Sequence, residues 1–283
     1  MNPGFSERST SKPLLGLGLR PPHLQEVIDK KPDVDWFEVH SENYFHGSHL
    51  RKYLLTVRQD YPIALHGVSM GILSSDGLNE EHTRELERLV TDLEPLFVSE
   101  HLSWNRFEGV YYHDLLPMPF CSEILNLASS RINDLQDRLK RQILIENITR
   151  YVDFSESTMT EAEFLSGLVK STGCGLILDL ENLHINDTNL GHSASELICN
   201  LPLNCVQEFH VAGHEASTAG RLADTHDACV SAEVWELLSQ ASRRFGPKPV
   251  LLERDSRLPP LEDLAREARQ SAEHLHMQPS GRP

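Results

Sequence analysis

Short apolar runs alternate along the chain with longer segments in which apolar residues recur every three to four positions. Short runs of this kind are typical of buried strands, and the longer periodic segments are typical of amphipathic helices. The runs predict eight strands over residues 14–20, 36–40, 63–68, 97–102, 143–148, 175–180, 206–211 and 250–253. The periodic segments predict helices over residues 22–30, 48–59, 80–93, 122–138, 161–171, 194–200, 232–245 and 261–274, with an irregular stretch over 104–119.

The order of these elements predicts the fold class. Strands that alternate with helices pair in parallel through right-handed crossovers. Eight such units in 283 residues favour a closed barrel over an open sheet. We therefore predict an α/β protein with a single (β/α)₈ domain, a TIM barrel, over residues 13–276. The segments 1–12 and 277–283 are predicted to be flexible tails.

The third to the eighth predicted strands each carry a histidine or an acidic residue at or near the carboxyl end. In a barrel of this type these strand ends meet at the active-site mouth. Carboxylates buried there repel one another and are costly to bury unless they are paired or bound to metal. Arg254 is the main candidate for a compensating positive charge. We predict that metal binds at this C-terminal mouth to His66, His101, Glu146, Asp179, His210 and Glu253.

A second set of candidate ligands lies in the loops after two of these strands. Asn182 and His184 follow Asp179, while Asp224 and His226 alternate in a segment after the seventh strand. Together with the strand-end residues they provide enough donors for a second or third ion. Imidazole and carboxylate donors without cysteine suit Fe, Mn, Zn or Co. Any one of these histidines alone could be a structural or surface residue, so the prediction rests on their convergence.

Other polar residues near the strand ends are candidates to orient ligands or to contact substrate. Glu38 and His40 point to one face of the second strand, and Glu42 and Asn43 follow it. The alternative is that these residues cap the next helix. His113, in the irregular stretch, either lines a substrate channel or lies on the surface. The candidates of this kind are Glu42, Asn43, His113, Asn147 and Arg254.

The composition excludes several classes of function. A formal net charge of −16 argues against nucleic acid as a partner. The longest apolar runs are too short to cross a membrane, and the N-terminus has no apolar signal-peptide core. We therefore expect a cytoplasmic protein whose five cysteines are reduced. The segment Gly16-Leu17-Gly18 lacks the third glycine of a dinucleotide-binding loop.

Ten motifs now make a recognisable series, which runs in order from about residue 14 to residue 267. They are GLGLR, DWFEVHSENYF, ALHGVSMGI, VSEHLSW, YYHDLLPMPF, ILIENI, LILDLENLH, EFHVAGH, DTHD and LLERD. The series resembles the multinuclear non-haem iron-dependent oxidative enzymes, a family that includes the B subunit of methanobactin synthase. The resemblance covers nearly the whole chain.

The resemblance implies a TIM barrel that binds two or three iron ions and uses O₂ to modify cysteines of ribosomally made peptides in natural-product biosynthesis. Known outcomes in the family are conversion of cysteine to an oxazolone with a thioamide, and excision of the cysteine β-carbon. Excision is the first expectation for this chain. The family also implies a heterodimer with a small companion protein that binds the peptide leader.

The resemblance further assigns ligands to individual ions. One set of iron ligands would be His66, His101, Glu146 and Glu253. The ligands of the adjacent ion, which would share a carboxylate with the first, are Asp179 and His210. A third site would contain Asp224, His226 and His184. Many relatives have Asn where this chain has Glu181, which leaves open whether Glu181 or Asn182 contacts metal.

Two other functions remain open at this point. Apurinic endonucleases and sugar isomerases also place His, Asp and Glu around two or three ions on such a barrel. The acidic composition argues against DNA, and the strand-end motifs lack the lysine that an isomerase would use. The second alternative is a non-catalytic metal-binding assembly subunit, which would hold its metal in a closed site ligated entirely by protein.

Overall fold

The protein folds into a closed barrel of eight parallel strands, as the sequence predicts. The computed structural model describes residues 14–217 and 220–276, so the predicted tails 1–12 and 277–283 lie outside the described residues. The barrel strands are β1 (Leu15–Gly18), β2 (Trp36–His40), β3 (Ile63–Gly67), β4 (Val98–His101), β7 (Leu144–Glu146), β8 (Gly175–Asp179), β9 (Val206–Val211) and β12 (Val250–Leu252). Each pairs with its neighbour along the chain, and β12 pairs with β1 to close the barrel.

Helices surround the barrel and connect its strands. Their bounds are α1 (Leu24–Lys30), α2 (Arg51–Asp60), α3 (Glu80–Leu93), α4 (Ser122–Leu139), α5 (Glu161–Thr172), α6 (Leu180–Leu190), α7 (Ala194–Asn200), α8 (Ala232–Phe245) and α9 (Leu261–His274). Local sequence fixes several starts: Asn79 caps α3, and Thr160 forms a reciprocal capping box with Glu163 on α5. In the described part of the chain, no helix has the length and apolar character needed to cross a membrane.

The strand period of two explains how the barrel interior is filled. Trp36, Ala64 and Leu251 form a small apolar cluster, separate from the main core that the helices cover. Two residues further along the same three strands, on the same face, come Glu38, His66 and Glu253. The interior is therefore apolar at its base and polar towards the carboxyl ends of the strands.

Close packing at the base depends on a glycine. A Cβ added at Gly16 would lie 2.2 Å from the indole of Trp36. Gly16 pairs with Trp36 in the β1–β2 register, and the ring is fully buried over it. A small residue on β1 is thus what lets the large Trp36 side chain fill the base of the barrel.

Two predicted loops contain regular structure. The stretch 104–119, predicted to be irregular, forms an antiparallel hairpin of β5 (Trp104–Phe107) and β6 (Val110–Leu116). The residues after Asp179, predicted to be a loop, form helix α6, which begins as soon as β8 ends. A second small sheet, β10 (Glu215–Ala216) with β11 (Leu222–Ala223), follows β9. The hairpin and α6 both border the mouth of the barrel.

Candidate metal centre

The parallel register brings the predicted strand-end donors to one level. His101 pairs with Glu146 across β4 and β7, and Asp179 pairs with His210 across β8 and β9. All four side chains are at most 8% exposed. Because the carboxyl ends of parallel strands meet at one rim, these donors converge inside the mouth rather than spreading over the surface.

The first group of donors consists of His66, His101 and Glu146. Glu146 Oε2 lies 3.2 Å from His66 Nε2 and 3.5 Å from His101 Nε2. The opposite ring nitrogens are held elsewhere: His66 Nδ1 lies 2.8 Å from Ser99 Oγ, and His101 Nδ1 lies 2.9 Å from the Gly67 carbonyl. These contacts aim both Nε2 atoms at the same space beside Glu146.

The second group contains Glu146, Asp179, His210 and Glu253. His210 Nδ1 lies 3.3 Å from Glu146 Oε1 and 3.7 Å from Glu253 Oε2. Glu146 thus turns one oxygen to the first group and the other to the second. A carboxylate in that position is suited to bridge two adjacent ions.

The third group consists of Glu181, Asp224 and His226. His226 Nε2 lies 2.8 Å from Glu181 Oε2 and 2.9 Å from Asp224 Oδ1. Its Nδ1 lies 3.2 Å from Glu253 Oε2, which connects this group to the second. His226 has a backbone φ of +46°, a left-handed conformation that is unfavourable for a non-glycine residue. Strain of this kind is concentrated at functional sites.

The donor atoms of the three groups fit metal ions. Buried polar atoms in proteins nearly always have hydrogen-bond partners, since leaving one unpaired costs free energy. Imidazole and carboxylate donors suit Fe, Mn, Zn or Co. Several donors at this mouth lie close to one another but make no hydrogen bond of acceptable geometry with the described residues: Glu146 Oε2, Asp179 Oδ2, both oxygens of Glu181, His210 Nδ1 and His226 Nε2.

The electrostatics of the metal-free site are strongly unbalanced. Burial raises the pKa of Asp179, and the charge of Glu146 raises it further. Burial alone would lower the pKa of His210, but the surrounding carboxylates, Glu146 foremost, raise it well above its usual value. Burial would likewise raise the pKa of Glu253, yet the charges of His210 and His226 bring it well below its usual range. Divalent cations among these carboxylates would balance their charge directly.

A cavity of about 420 Å³ opens over these donors. His66, His101, His226 and Glu253 reach its floor, and the exposed Tyr151 lies at its rim. A larger cavity of about 550 Å³ lies on the outer side near α5 and contains none of the three groups. We place the site at the smaller cavity because five members of the three groups line it: His66, His101, Asp224, His226 and Glu253. An open cavity over the donors is what a catalytic metal needs.

Eight of the nine predicted ligands fall in the three groups, and their role in binding metal stays a prediction. The ninth, His184, lies on α6 with its ring 5.1 Å from that of His214, outside the three groups. Asn182 accepts a hydrogen bond from Thr149 Oγ1 and donates one to the Asn147 carbonyl. Its polar atoms are therefore occupied, and the geometry favours Glu181 over Asn182 as the ligand.

Three of the supporting candidates, Glu42, Asn43 and His113, have different positions. Glu42 accepts hydrogen bonds from the backbone N–H groups of Val68 and Ser69, and so fixes the loop after β3. Asn43 is exposed and does not line the cavity. His113, on β6, is exposed and lines the cavity mouth. His113 thus stays a candidate for substrate contact, whereas the structure gives Asn43 no such position.

The other two candidates, Asn147 and Arg254, also differ in role. The Asn147 side chain pairs with both the N–H and the carbonyl of Asp179, at 3.0 Å each, and so positions that residue. Arg254 instead bonds to Glu267 on α9, 2.9 Å away. The expectation that Arg254 compensates the buried acids at the mouth is therefore wrong.

The compensating cation is Arg20, which the sequence analysis missed. Arg20 follows β1, is buried, and lies 2.8 Å from Asp255 Oδ1 and 3.4 Å from Glu253 Oε1. Its signal was available, since Arg20 ends the apolar run of the first strand as the ligands end theirs. Glu208 was missed too, although it alternates with His210 on β9 and so shares its face.

The chain matches the family model described as RiPP precursor modification enzyme MbnB/TglH/ChrH over residues 14–276. It belongs to this family. RiPPs are ribosomally synthesised and post-translationally modified peptides, and the match confirms the resemblance drawn from the motifs. A UPF0276 protein of Chromobacterium violaceum is 42% identical over 253 residues, which cover 89% of this chain and 91% of the relative. One from Caulobacter vibrioides is 41% identical over 256 residues, which cover 89% and 90%.

Solved structures outside the family share the barrel. A D-psicose 3-epimerase superposes with a TM-score of 0.58 at 14% identity, covering 91% of this chain and 96% of its own. Endonuclease IV from Thermus thermophilus superposes with a TM-score of 0.57 at 14% identity, covering 92% and 99%. At such low identity these similarities establish the TIM-barrel fold alone.

Proposed function

We propose that this member of the RiPP precursor modification family holds two or three iron ions at the barrel mouth and uses O₂ to oxidise a cysteine of a ribosomally made peptide. The observation that carries the proposal is a cluster of His, Asp and Glu donors in three adjoining groups, several of them buried without a hydrogen-bond partner, beside an open cavity that five members of the cluster line. The family supplies the peptide substrate class. The donor chemistry is compatible with iron.

Each group of donors would have a distinct part in holding the ions. Glu146 would connect the first group to the second, and Glu253 lies between the second and the third. Bound iron would supply the electrons that reduce O₂ and a position at which a substrate thiol binds as thiolate. Ser99, the Gly67 carbonyl and Asn147 would keep the ligands oriented through the contacts described above.

The shape of the mouth supports a peptide substrate. The cavity is open to solvent, and the exposed Tyr111, His113 and Tyr151 lie along its edge. Aromatic side chains at such a rim can pack against the backbone and side chains of an extended segment. The peptide leader would bind to a separate small companion protein, which would leave the cysteine-containing segment free to enter.

Metal content of protein purified without O₂ tests the first half of the proposal. We expect two or three irons per chain by elemental analysis, with fewer in His210→Ala and Glu253→Ala. Stoichiometric zinc or magnesium with negligible iron would point to a hydrolase or isomerase instead. Folded protein that binds no metal would overturn the proposal.

Turnover tests the second half. The iron-loaded protein, its companion and a cysteine-containing precursor peptide are incubated with and without O₂. The change in the mass of the peptide is then measured by mass spectrometry. Excision of the β-carbon removes one carbon, whereas formation of an oxazolone with a thioamide keeps every carbon and removes only hydrogen. Undiminished turnover without O₂ would refute an O₂-dependent reaction. Normal assembly with companion and peptide by metal-free protein, without turnover after iron loading, would support the assembly subunit.

A further inference from the structure

Beneath the three groups lies another set of buried acids that no step above uses. Glu38 on β2 and Glu208 on β9 both point into the barrel and are at most 1% exposed. They meet at the underside of His210, which belongs to the second group, and the three side chains are close enough to form a further donor group. Both oxygens of Glu38 and Oε2 of Glu208 have no hydrogen-bond partner among the described residues.

The His210 ring stands between two layers of carboxylates. Its Nε2 lies 3.3 Å from Glu208 Oε1 and 3.6 Å from Glu38 Oε1. Its Nδ1 lies 3.3 Å from Glu146 Oε1, without the angles of a hydrogen bond, and has no hydrogen-bond partner in the described part of the chain. A neutral imidazole carries one proton, on either Nδ1 or Nε2. Because Glu208 Oε1 can accept a hydrogen bond from Nε2, the proton is favoured on Nε2. The lone pair of Nδ1 then points up into the second group.

We propose that Glu208, with Glu38 behind it, is a positioning residue that fixes the tautomer and the orientation of His210, so that Nδ1 faces the ions. This inference rests on the proposed iron function and names a part of it that neither the sequence motifs nor the family assigns. Glu208 would not contact substrate or ion, and it would act only through the ring of His210.

The arrangement sets His210 apart from the other two strand-end histidines. His66 and His101 would present Nε2 to the ions, and their Nδ1 atoms contact a hydroxyl and a carbonyl, which carry no charge. His210 presents the opposite nitrogen and is held by a carboxylate. A carboxylate partner makes an imidazole a more basic ligand. The ion bound to His210 would therefore differ electronically from the ion bound to His66 and His101.

A structural role explains the two acids poorly. Buried carboxylates are costly, and apolar residues of similar volume usually stabilise a fold at least as well. One step lower in the same interior, the barrel uses Trp36, Ala64 and Leu251. Acids at the level of His210 are therefore a feature that folding alone would not retain.

The test compares Glu208→Leu, which removes the acceptor, with Glu208→Gln, which keeps an acceptor oxygen without the charge. Glu236→Leu, an exposed site on α8, is the control. Fe(II) is titrated into each chelated protein under anaerobic conditions, and its Mössbauer spectrum is recorded. We expect Glu208→Leu to bind one ion roughly 10- to 100-fold more weakly. Glu208→Gln should bind the full number, with an altered signal for one iron.

The outcomes separate this inference from the proposed function. If Glu208→Leu binds every iron as tightly as the wild type and Glu208→Gln leaves the spectrum unchanged, the positioning role is wrong while the iron function stands. If both variants lose one whole ion equally, Glu208 is itself a ligand and the positioning role is again wrong. If the wild type binds no iron, the proposed function fails first. Should Glu208→Leu not fold, the spectrum of Glu208→Gln decides.

Discussion

Asp179 uses its two carboxylate oxygens for two different tasks, and the variants Asp179→Asn and Asp179→Ala separate them. Oδ1 accepts a hydrogen bond from the Asn182 N–H at 2.6 Å and caps helix α6. Oδ2 is buried without a hydrogen-bond partner among the described residues, which leaves it as the oxygen through which Asp179 would join the second donor group. Asparagine caps a helix about as well as aspartate does, so Asp179→Asn removes only the charge and the second oxygen.

The expected magnitude depends on whether iron is present. In chelated protein the buried Oδ2 is unsatisfied, which costs roughly 1–3 kcal/mol. Asp179→Asn should recover much of that cost, and each kcal/mol raises Tm by about 2–4 °C in a chain of this size. In iron-loaded protein the order should reverse, because an ion at a free concentration of 1,000 times its Kd adds about 4.1 kcal/mol, more than the recovered cost, and the variant loses this gain. Asp179→Ala also loses the cap, at a cost of about 1 kcal/mol.

Thermal unfolding of the three proteins, with chelator and with Fe(II) under anaerobic conditions, measures these differences. The wild type should melt below Asp179→Asn with chelator and above it with iron, and Asp179→Ala should melt below Asp179→Asn in both. If chelated Asp179→Asn is less stable than the wild type, the buried Oδ2 does not destabilise the chelated protein. If iron stabilises Asp179→Asn as much as the wild type, Oδ2 is not a ligand.

Four further predictions concern the same scaffold. Gly16→Ala should destabilise the chelated protein by roughly 1–3 kcal/mol in urea unfolding, because the added Cβ overlaps Trp36; unchanged stability would contradict the close packing at the base. Arg20→Met leaves buried carboxylates without their cation and should cost roughly 3–5 kcal/mol in chelated protein, and less with iron bound; an equal loss in both states would contradict a shared electrostatic role. Raising the pH should destabilise the chelated protein, because the pKa of Asp179 is higher in the folded than in the unfolded chain. The unfolded chain therefore releases this proton first, and stability is lost as the pH rises through the folded pKa. Iron binding needs deprotonated ligands, so the iron-induced rise in Tm should grow with pH, and a pH-independent rise would count against carboxylate and imidazole ligation.

The sequence could predict the barrel and most of its donors because both follow from short-range patterns. An apolar run that ends in His or Glu, as at His66 and Glu146, identifies at once a strand, its direction and the rim at which it ends. The closed parallel register then brings such ends together without further information. This is why donors separated by many residues along the chain could be grouped before their distances were known.

The errors have equally local causes. Helix α6 has few apolar residues on a clear face and starts directly at the end of β8, so its sequence is typical of a loop. Once it is a helix, Glu181 turns into the mouth while His184 turns towards His214. Arg254 was expected to compensate the acids because it is next to Glu253, but neighbours on a strand face opposite sides. Arg20 did leave a local signal at the end of the first apolar run, but its partner Asp255 lies 235 residues away, and no local pattern predicts that pairing.

The walls around the mouth bear on which thiols the protein could reach. The donors lie at the bottom of a cavity, with the β5–β6 hairpin along one edge and the segment of Asp224 and His226 along another. If cysteine is the target, its backbone must enter this space with both neighbours extended. A cysteine inside a helix or sheet of a folded protein cannot do so. The same walls that admit a precursor peptide would thus shield the other thiols of a cell from unwanted oxidation.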